Sequence, residues 1–202
     1  MNESIKKTLL VAFGVCFVSS LVVSFTAVSL RSMQNENAMN DQRIKILEAA
    51  NIYDSSISVE EQFANLDIKY IDFENGLIDK LILPIRGYGL WGTLYGYMAI
   101  ENDFNTVAGL VFYDHKETPG LGAEVDNPKW KALWAGKKIY DENGVKLQVI
   151  KGIVAKDDAE IEYKVDGLSG ATLTARGVSN MISYWFGESG YSKLLEQLNY
   201  ES

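Results

Sequence analysis

The chain holds one cysteine, Cys16, and one histidine, His115, in 202 residues. A lone thiol closes no internal disulfide, and one imidazole beside one thiol gives no zinc, haem or iron–sulfur ligand set. No metal site is assigned on that ground, and no catalytic residue. Basic residues are scarce too. Beyond Arg31 there are 16 basic and 26 acidic side chains, a net charge of −10. Such a surface repels nucleic acid and anionic head groups and excludes both as ligands. There are no internal repeats and no low-complexity tract.

Charge is missing altogether from residues 8–30, 23 positions in a row. A helix of that length crosses the hydrocarbon core with some tilt. A cleaved signal peptide is the competing reading, but its apolar region is usually shorter and ends at a small-x-small site. Ser19, Ser20, Ser24 and Ala27 are small, yet the apolar run continues past most of them. Phe13-Gly-Val15 before Cys16 is a poor lipoprotein site. The run is read as a retained anchor. It contains no carboxylate, so it offers no charged ion path by itself. Lys6 and Lys7 precede it and Arg31, Arg43 and Lys45 follow it, so charge alone leaves the orientation open.

Hydropathy patterning divides the rest. Residues 1–31 read as a tail and anchor, 32–65 as a helical connector and 66–202 as a domain. Ile44, Ile46, Leu47, Ala50 and Ile52 are spaced for a short helix within 37–53. Ser58 with Glu61 three residues later reads as a capped helix start. From Ile68 the pattern turns to β-type runs at 68–73, 78–84, 93–100, 106–113, 147–154 and 159–165, punctuated by Gly, Asn and Asp. A helix is expected over 127–137, with Pro128 in its first turn and Trp130, Leu133 and Trp134 on one face. Helices at both ends with strands between predict an α+β domain, a mainly antiparallel sheet with flanking helices.

The chemistry-bearing stretch is Asp166-Gly-Leu-Ser-Gly-Ala-Thr172. Leu173-Thr174 follow, and then Val178, Met181, Ile182, Trp185 and Phe186 at helical spacing. A loop of small residues and hydroxyls thus opens an amphipathic helix. The start of a helix leaves N–H groups unpaired and carries partial positive charge. A phosphate placed there is stabilised without any lysine. Glycines at 167 and 170 let the backbone turn tightly and approach a ligand. The same residues also read as an ordinary helix cap, and physics alone favours that reading.

The stretch resembles the flavin-transferase acceptor motif: Asp, Gly, any residue, Ser or Thr, Gly, Ala, then Thr. Three further stretches stand in matching order: Pro84-Ile-Arg-Gly-Tyr-Gly-Leu-Trp-Gly-Thr-Leu-Tyr-Gly96, His115-Lys-Glu-Thr-Pro-Gly-Leu-Gly122 and Glu124-Val-Asp-Asn-Pro-Lys-Trp130. With them the chain resembles the family of C subunits of sodium-translocating NADH:quinone oxidoreductases. The resemblance covers essentially the whole chain and is strongest over 84–195. It implies FMN held by a phosphoester to Thr172, not Thr174, and attached by a flavin transferase. Asp166, Gly170 and Ala171 would shape the loop for that enzyme. Ser169 and Thr174 would bond the phosphate or simply cap nearby backbone. Glu117, Thr118, Leu121 and Gly122 would face the flavin, with Leu168 a similar candidate and Trp91 close by.

The same resemblance implies a single-pass protein of the bacterial inner membrane, its 66–202 domain periplasmic, relaying electrons between redox centres of other subunits. Two alternatives stand beside it. One is the G subunit of the complex coupling ferredoxin and NAD, which shares the Glu-Thr-Pro-Gly-Leu-Gly and acceptor motifs. The other is a cofactor-free, membrane-tethered assembly module in which the motif is only a cap. The Gly-Leu-Trp-x-Thr and Asn-Pro-Lys-Trp stretches favour the sodium pump.

Other residues carry weaker signals. Pro119-Gly120 predicts a type II turn. His115 could protonate a reduced flavin, but a lone histidine is more often structural, and that reading leads. Trp130, Trp134 and Trp185 sit at helical spacing and read as core. Trp91 lies in a Gly-rich loop, as does Arg86, which suits a phosphate or a partner carboxylate.

Overall fold

Helix α1 (Glu3–Ala49) is the first element of the computed structural model, which describes residues 3–65 and 79–201. Its apolar side chains from Ile5 to Leu30 are exposed, as suits a helix meant for lipid. It is long and apolar enough to cross a membrane. The helix does not break at Arg31, so the expected connector helix is its continuation. By contacts the chain divides into residues 1–41 and 42–202. α1 stops at a Schellman-type end. Asn51 takes φ 59°, its N–H bonds the Glu48 carbonyl at 3.1 Å, and Ile52 N–H reaches the Leu47 carbonyl at 3.0 Å. α2 (Val59–Asn65) follows, and Ser58 Oγ accepts from Glu61 N–H at 3.3 Å.

An antiparallel meander forms the sheet: β1 (Lys80–Tyr88), β2 (Thr93–Glu101) and β3 (Val107–Asp114), in that order. The strand expected at 68–73 lies outside the described residues. Both faces of β2 are covered. Leu94, Met98 and Ile100 enter the main core with Leu83, Ile85, Leu110 and Phe112. Tyr97 and Ala99 face the opposite way and pack with Ala49, Ala108 and Val111, where the end of α1 covers the sheet.

Shorter pieces complete the domain. A 3-10 turn (Gly122–Asp126) leads into α3 (Pro128–Lys131), whose start is capped by Asn127 Oδ1 accepting from Lys129 N–H at 3.0 Å. The helix expected over 127–137 is therefore a single turn. The reason is a competing pairing: Val107 N–H bonds the Lys137 carbonyl and Gly136 N–H the Val107 carbonyl, both at 2.8 Å. The chain turns at Gly136, and Lys138 bridges Thr106 at the end of the sheet instead of continuing the helix. β4 (Tyr140–Asp141) and β5 (Gly144–Val145) form a small hairpin that the hydropathy pattern does not foreshadow.

Of the long strands expected at 147–154 and 159–165, only β6 (Gln148–Val149) and β7 (Lys164–Val165) form, as a parallel pair. Backbone groups there find other partners. Val149 N–H donates to Ser179 Oγ at 2.9 Å and Val154 N–H to Asp166 Oδ1 at 2.8 Å. A 3-10 turn (Ile161–Tyr163) occupies the rest of the second run. α4 (Thr172–Phe186) and α5 (Ser192–Glu201) close the core. α4 buries Val178, Met181, Ile182 and Phe186 as its spacing predicts, whereas Trp185 is half-buried and stacks on Tyr191 at 5.1 Å. The crossing of α4 over β1 is close: a Cβ at Gly177 would sit 2.2 Å from the Tyr88 carbonyl oxygen. The architecture is α+β, an antiparallel sheet with flanking helices behind one apolar N-terminal helix.

Candidate functional site

Three stretches far apart in sequence meet at one carboxylate. The first is the β1–β2 hairpin tip at 89–92, closed by Gly89 N–H to the Gly92 carbonyl at 2.8 Å. The second is the loop 117–122 after β3. Its turn closes with Leu121 N–H on the Thr118 carbonyl at 3.1 Å, and Gly120 has φ +74°, which fits the type II turn expected from Pro119-Gly120. The third is the start of α4. Glu117, 6% exposed, joins them. Its Oε1 accepts from Leu90 N–H and Trp91 N–H, each at 2.9 Å, and its Oε2 accepts from Thr174 Oγ1 at 2.5 Å. The packing leaves room for little else: a Cβ at Gly122 would lie 2.4 Å from Glu117 Oε2 and 2.7 Å from Thr174 Oγ1.

The acceptor stretch is fixed by the elements around it. The Asp166 carbonyl accepts from Trp130 Nε1 at 2.9 Å, and its side chain holds Val154. Gly167 N–H bonds the Gly152 carbonyl at 2.7 Å. Leu168 and Ala171 are buried in the core, Ser169 and Gly170 exposed. Gly170 lies beside Leu121, whose Cδ2 would be 2.8 Å from an added Cβ. The stretch therefore faces the loop 117–122 directly.

α4 begins without a side-chain cap. Ala171 occupies the cap position, and the first helical bond runs from Ala175 N–H to the Ala171 carbonyl at 3.0 Å. Ser169 does not cap it, and Thr174 spends its hydroxyl proton on Glu117 rather than on the helix start. No acidic side chain sits in the first turn. The leading N–H groups keep their partial positive charge for an outside anion. Thr172 is exposed at this start, whereas Thr174 is fully buried. The two threonines differ in access and in what their hydroxyls can do.

Apolar side chains ring the same place. Trp91 is 66% exposed, Leu173 52% and Leu121 43%, with Leu90 exposed beside them. An uncapped helix start, an accessible hydroxyl and exposed apolar side chains are what a phosphate joined to a flat ring system asks for. The residues fit such a group. The motif reading passes over Arg176, exposed one helical turn after Thr172 and hence on its face. Its i, i+4 spacing from Thr172 is the signal that could have found it. His115 is structural in its bonding. Nδ1 accepts from Glu117 N–H at 3.2 Å, which leaves the proton on Nε2 to donate to Asp126 Oδ2 at 2.8 Å. Trp130 and Trp134 are core, packed edge to face at 5.3 Å. Among the described residues no cluster of His, Cys, Asp and Glu suits a metal ion.

The chain is similar to known proteins over this region. A family model described as an FMN-binding domain matches residues 89–187, which contain all three stretches. Among curated proteins, the C subunit of the Na(+)-translocating NADH-quinone reductase of Pseudomonas aeruginosa is 40% identical, with 98% of this chain and 97% of that protein covered. Its namesake from Vibrio vulnificus is 36% identical, with 98% and 96% covered. Among solved structures, the Shewanella oneidensis NqrC superposes with a TM-score of 0.67 at 28% identity, covering 81% of this chain and 99% of that one. The corresponding protein from Parabacteroides distasonis superposes with a TM-score of 0.66 at 33% identity, covering 82% and 96%.

Proposed function

This chain belongs to the family of C subunits of the Na(+)-translocating NADH-quinone reductase, a flavin-bearing part of that oxidoreductase complex, and we propose that it carries its FMN as a phosphoester on Thr172. The ferredoxin-linked relative and the cofactor-free module are set aside on these matches. The observation that carries the proposal is the contrast between the two threonines: Thr172 is exposed at an uncapped helix start, and Thr174 is buried with its proton bound to Glu117.

Attachment by a flavin transferase forms a bond between Thr172 Oγ1 and the flavin phosphorus. The phosphoanhydride bond of an activated FMN donor breaks, its other half departs as a phosphate, and the hydroxyl proton passes to a base of the transferase. Backbone N–H groups at the start of α4 would hold the phosphate oxygens, with Arg176 one turn on adding a cation. Asp166, Gly170 and Ala171 give the loop the shape that the transferase grips. Leu121, Leu173 and Trp91, exposed around this start, would cover the ring, with Thr118 beside them and Gly122 packed beneath against Glu117. FMN supplies electron uptake and release when bound. The chain's part is to hold it, keep it from diffusing away and present it to the complex's other redox subunits.

The 1–31 segment anchors the protein in the bacterial inner membrane, 32–65 connects, and the 66–202 domain stands on the periplasmic face. The acidic domain suits an aqueous face away from anionic head groups. The test is expression of the full-length protein with a flavin transferase. The denatured band is expected to fluoresce, and the peptide containing Thr172 to gain the mass of an FMN phosphoester. Thr172→Ala abolishes both. Label that persists on Thr172→Ala would refute the assignment.

A further inference from the structure

We propose that Glu117 is the positioning residue of this site, a fixed negative charge that locks three loops together and sets the electrostatic ground on which the cofactor sits. The proposal rests on the reading of Thr172 as the attachment point. Burying a carboxylate is costly unless donors replace its water. Here three do: two backbone N–H groups and one hydroxyl, a set suited to a group that only accepts. Among the described ion pairs none includes Glu117. Its described partners are hydrogen-bond donors rather than cations.

The surroundings are cut to fit that carboxylate. A Cβ at Gly89 would lie 2.5 Å from Oε1, and one at Gly122 would lie 2.4 Å from Oε2. Leu90 and Trp91 form the tip of a hairpin, where N–H groups ordinarily point to water. Glu117 takes both and so ties the hairpin tip, with the exposed Trp91, to the carboxylate that also holds Thr174 of α4. Its second oxygen takes the proton of Thr174, two residues beyond Thr172, and removes that hydroxyl from competition as a nucleophile. The same charge lies within a helical turn of the attachment point, behind it rather than in solvent. A buried negative charge there opposes the addition of an electron to a neighbouring flavin.

Two substitutions separate geometry from charge. Glu117→Gln keeps the shape, and its amide oxygen still accepts from the hairpin tip, but the charge is gone. Glu117→Ala removes both. In the full-length protein in detergent, hydrogen exchange at Leu90 and Trp91 is measured before flavin is attached. Glu117→Ala is expected to exchange about tenfold faster there, and Glu117→Gln to stay within about threefold of the parent. In flavin-loaded protein, Glu117→Gln is expected to melt close to the parent while its midpoint potential moves to more positive values. A role confined to folding would not move the potential. Unchanged exchange in Glu117→Ala, or an unchanged potential in fully loaded Glu117→Gln, overturns the proposal. If the parent itself takes no flavin on Thr172, the attachment reading fails, and the exchange measurement still decides whether Glu117 ties the loops.

Discussion

At the scale of single residues, the pair Thr172 and Thr174 shows how position alone assigns chemistry. Two identical side chains lie within one turn of one helix. Helical geometry turns one outward and the other onto Glu117. Gly122 has a related lesson. A backbone free of a side chain suggests close approach to a flavin ring, yet an added Cβ here meets Glu117 and Thr174 first. Gly122→Val is therefore expected to lower stability by about 1–3 kcal/mol, the range for forced overpacking. The measurement is thermal melting of the flavin-free protein, and an unchanged midpoint there would remove the clash argument. The stretch that opens α4 with an exposed Thr172 was legible in the sequence because its motif is contiguous. The tie at Glu117 was not, because its partners are 26 to 57 residues away and no local pattern links them.

At the scale of elements, glycine decides how closely α4 crosses β1. In an isolated helix Gly177→Ala gains about 1 kcal/mol of propensity. Here the new Cβ would lie 2.2 Å from the Tyr88 carbonyl oxygen, so the helix must shift or the strand must bend. The net effect is expected to be destabilising, with a lower melting temperature. A higher one would mean that the crossing relaxes freely. The turn between β2 and β3 carries a pH signature. Partial burial pushes the Asp103 carboxyl up, but bonds from the Thr106 hydroxyl and N–H, from Asn105 N–H and from Lys138 outweigh it and hold the group well below the usual range. A depressed folded-state value gives stability that is complete above the unfolded value and fades as acid protonates the folded carboxyl. Melting measured from pH 6 downward is expected to lose stability below about pH 4. Asp103→Asn should flatten that limb, and an identical acid limb in the variant counts against it. Long periodic runs such as α4, β2 and β3 were readable from their sequence. The segments 127–137, 147–154 and 159–165 were not, because their backbone groups bond across the fold, the first to Val107, the second to Ser179 and Asp166 and the third to Lys137 and Lys138, rather than along the element that their local pattern favours.

At the scale of the whole molecule, the chain joins an uncharged apolar span to a strongly acidic remainder. Full-length protein is expected to need detergent. The side of the membrane is tested with a single cysteine at Asn37 in a Cys16→Ser background. On the proposed topology, an impermeant thiol reagent labels it in intact spheroplasts. Labelling that appears only after lysis would place the domain inside. The anchor and the fold class were legible from composition and period. The place where the anchor helix ends was not, since the polar residues after Arg31 break the apolar run without breaking the helix.

The junction at Glu117 also carries a clock. Its partners come off the ribosome in order: the hairpin tip first, then the carboxylate, and the Thr174 hydroxyl last, 57 residues later. Nothing local can close the last bond early, because loop closure over that distance waits for the remaining core. An enzyme that modifies only the closed arrangement would inspect each chain for completion before committing a flavin to it. Ribosome-held chains truncated just past Thr174, with Val178, Met181 and Ile182 missing, should then remain unlabelled although they contain the acceptor motif entire. Ready labelling of such fragments would show that the motif is recognised as an extended peptide, and that no proofreading of the fold occurs.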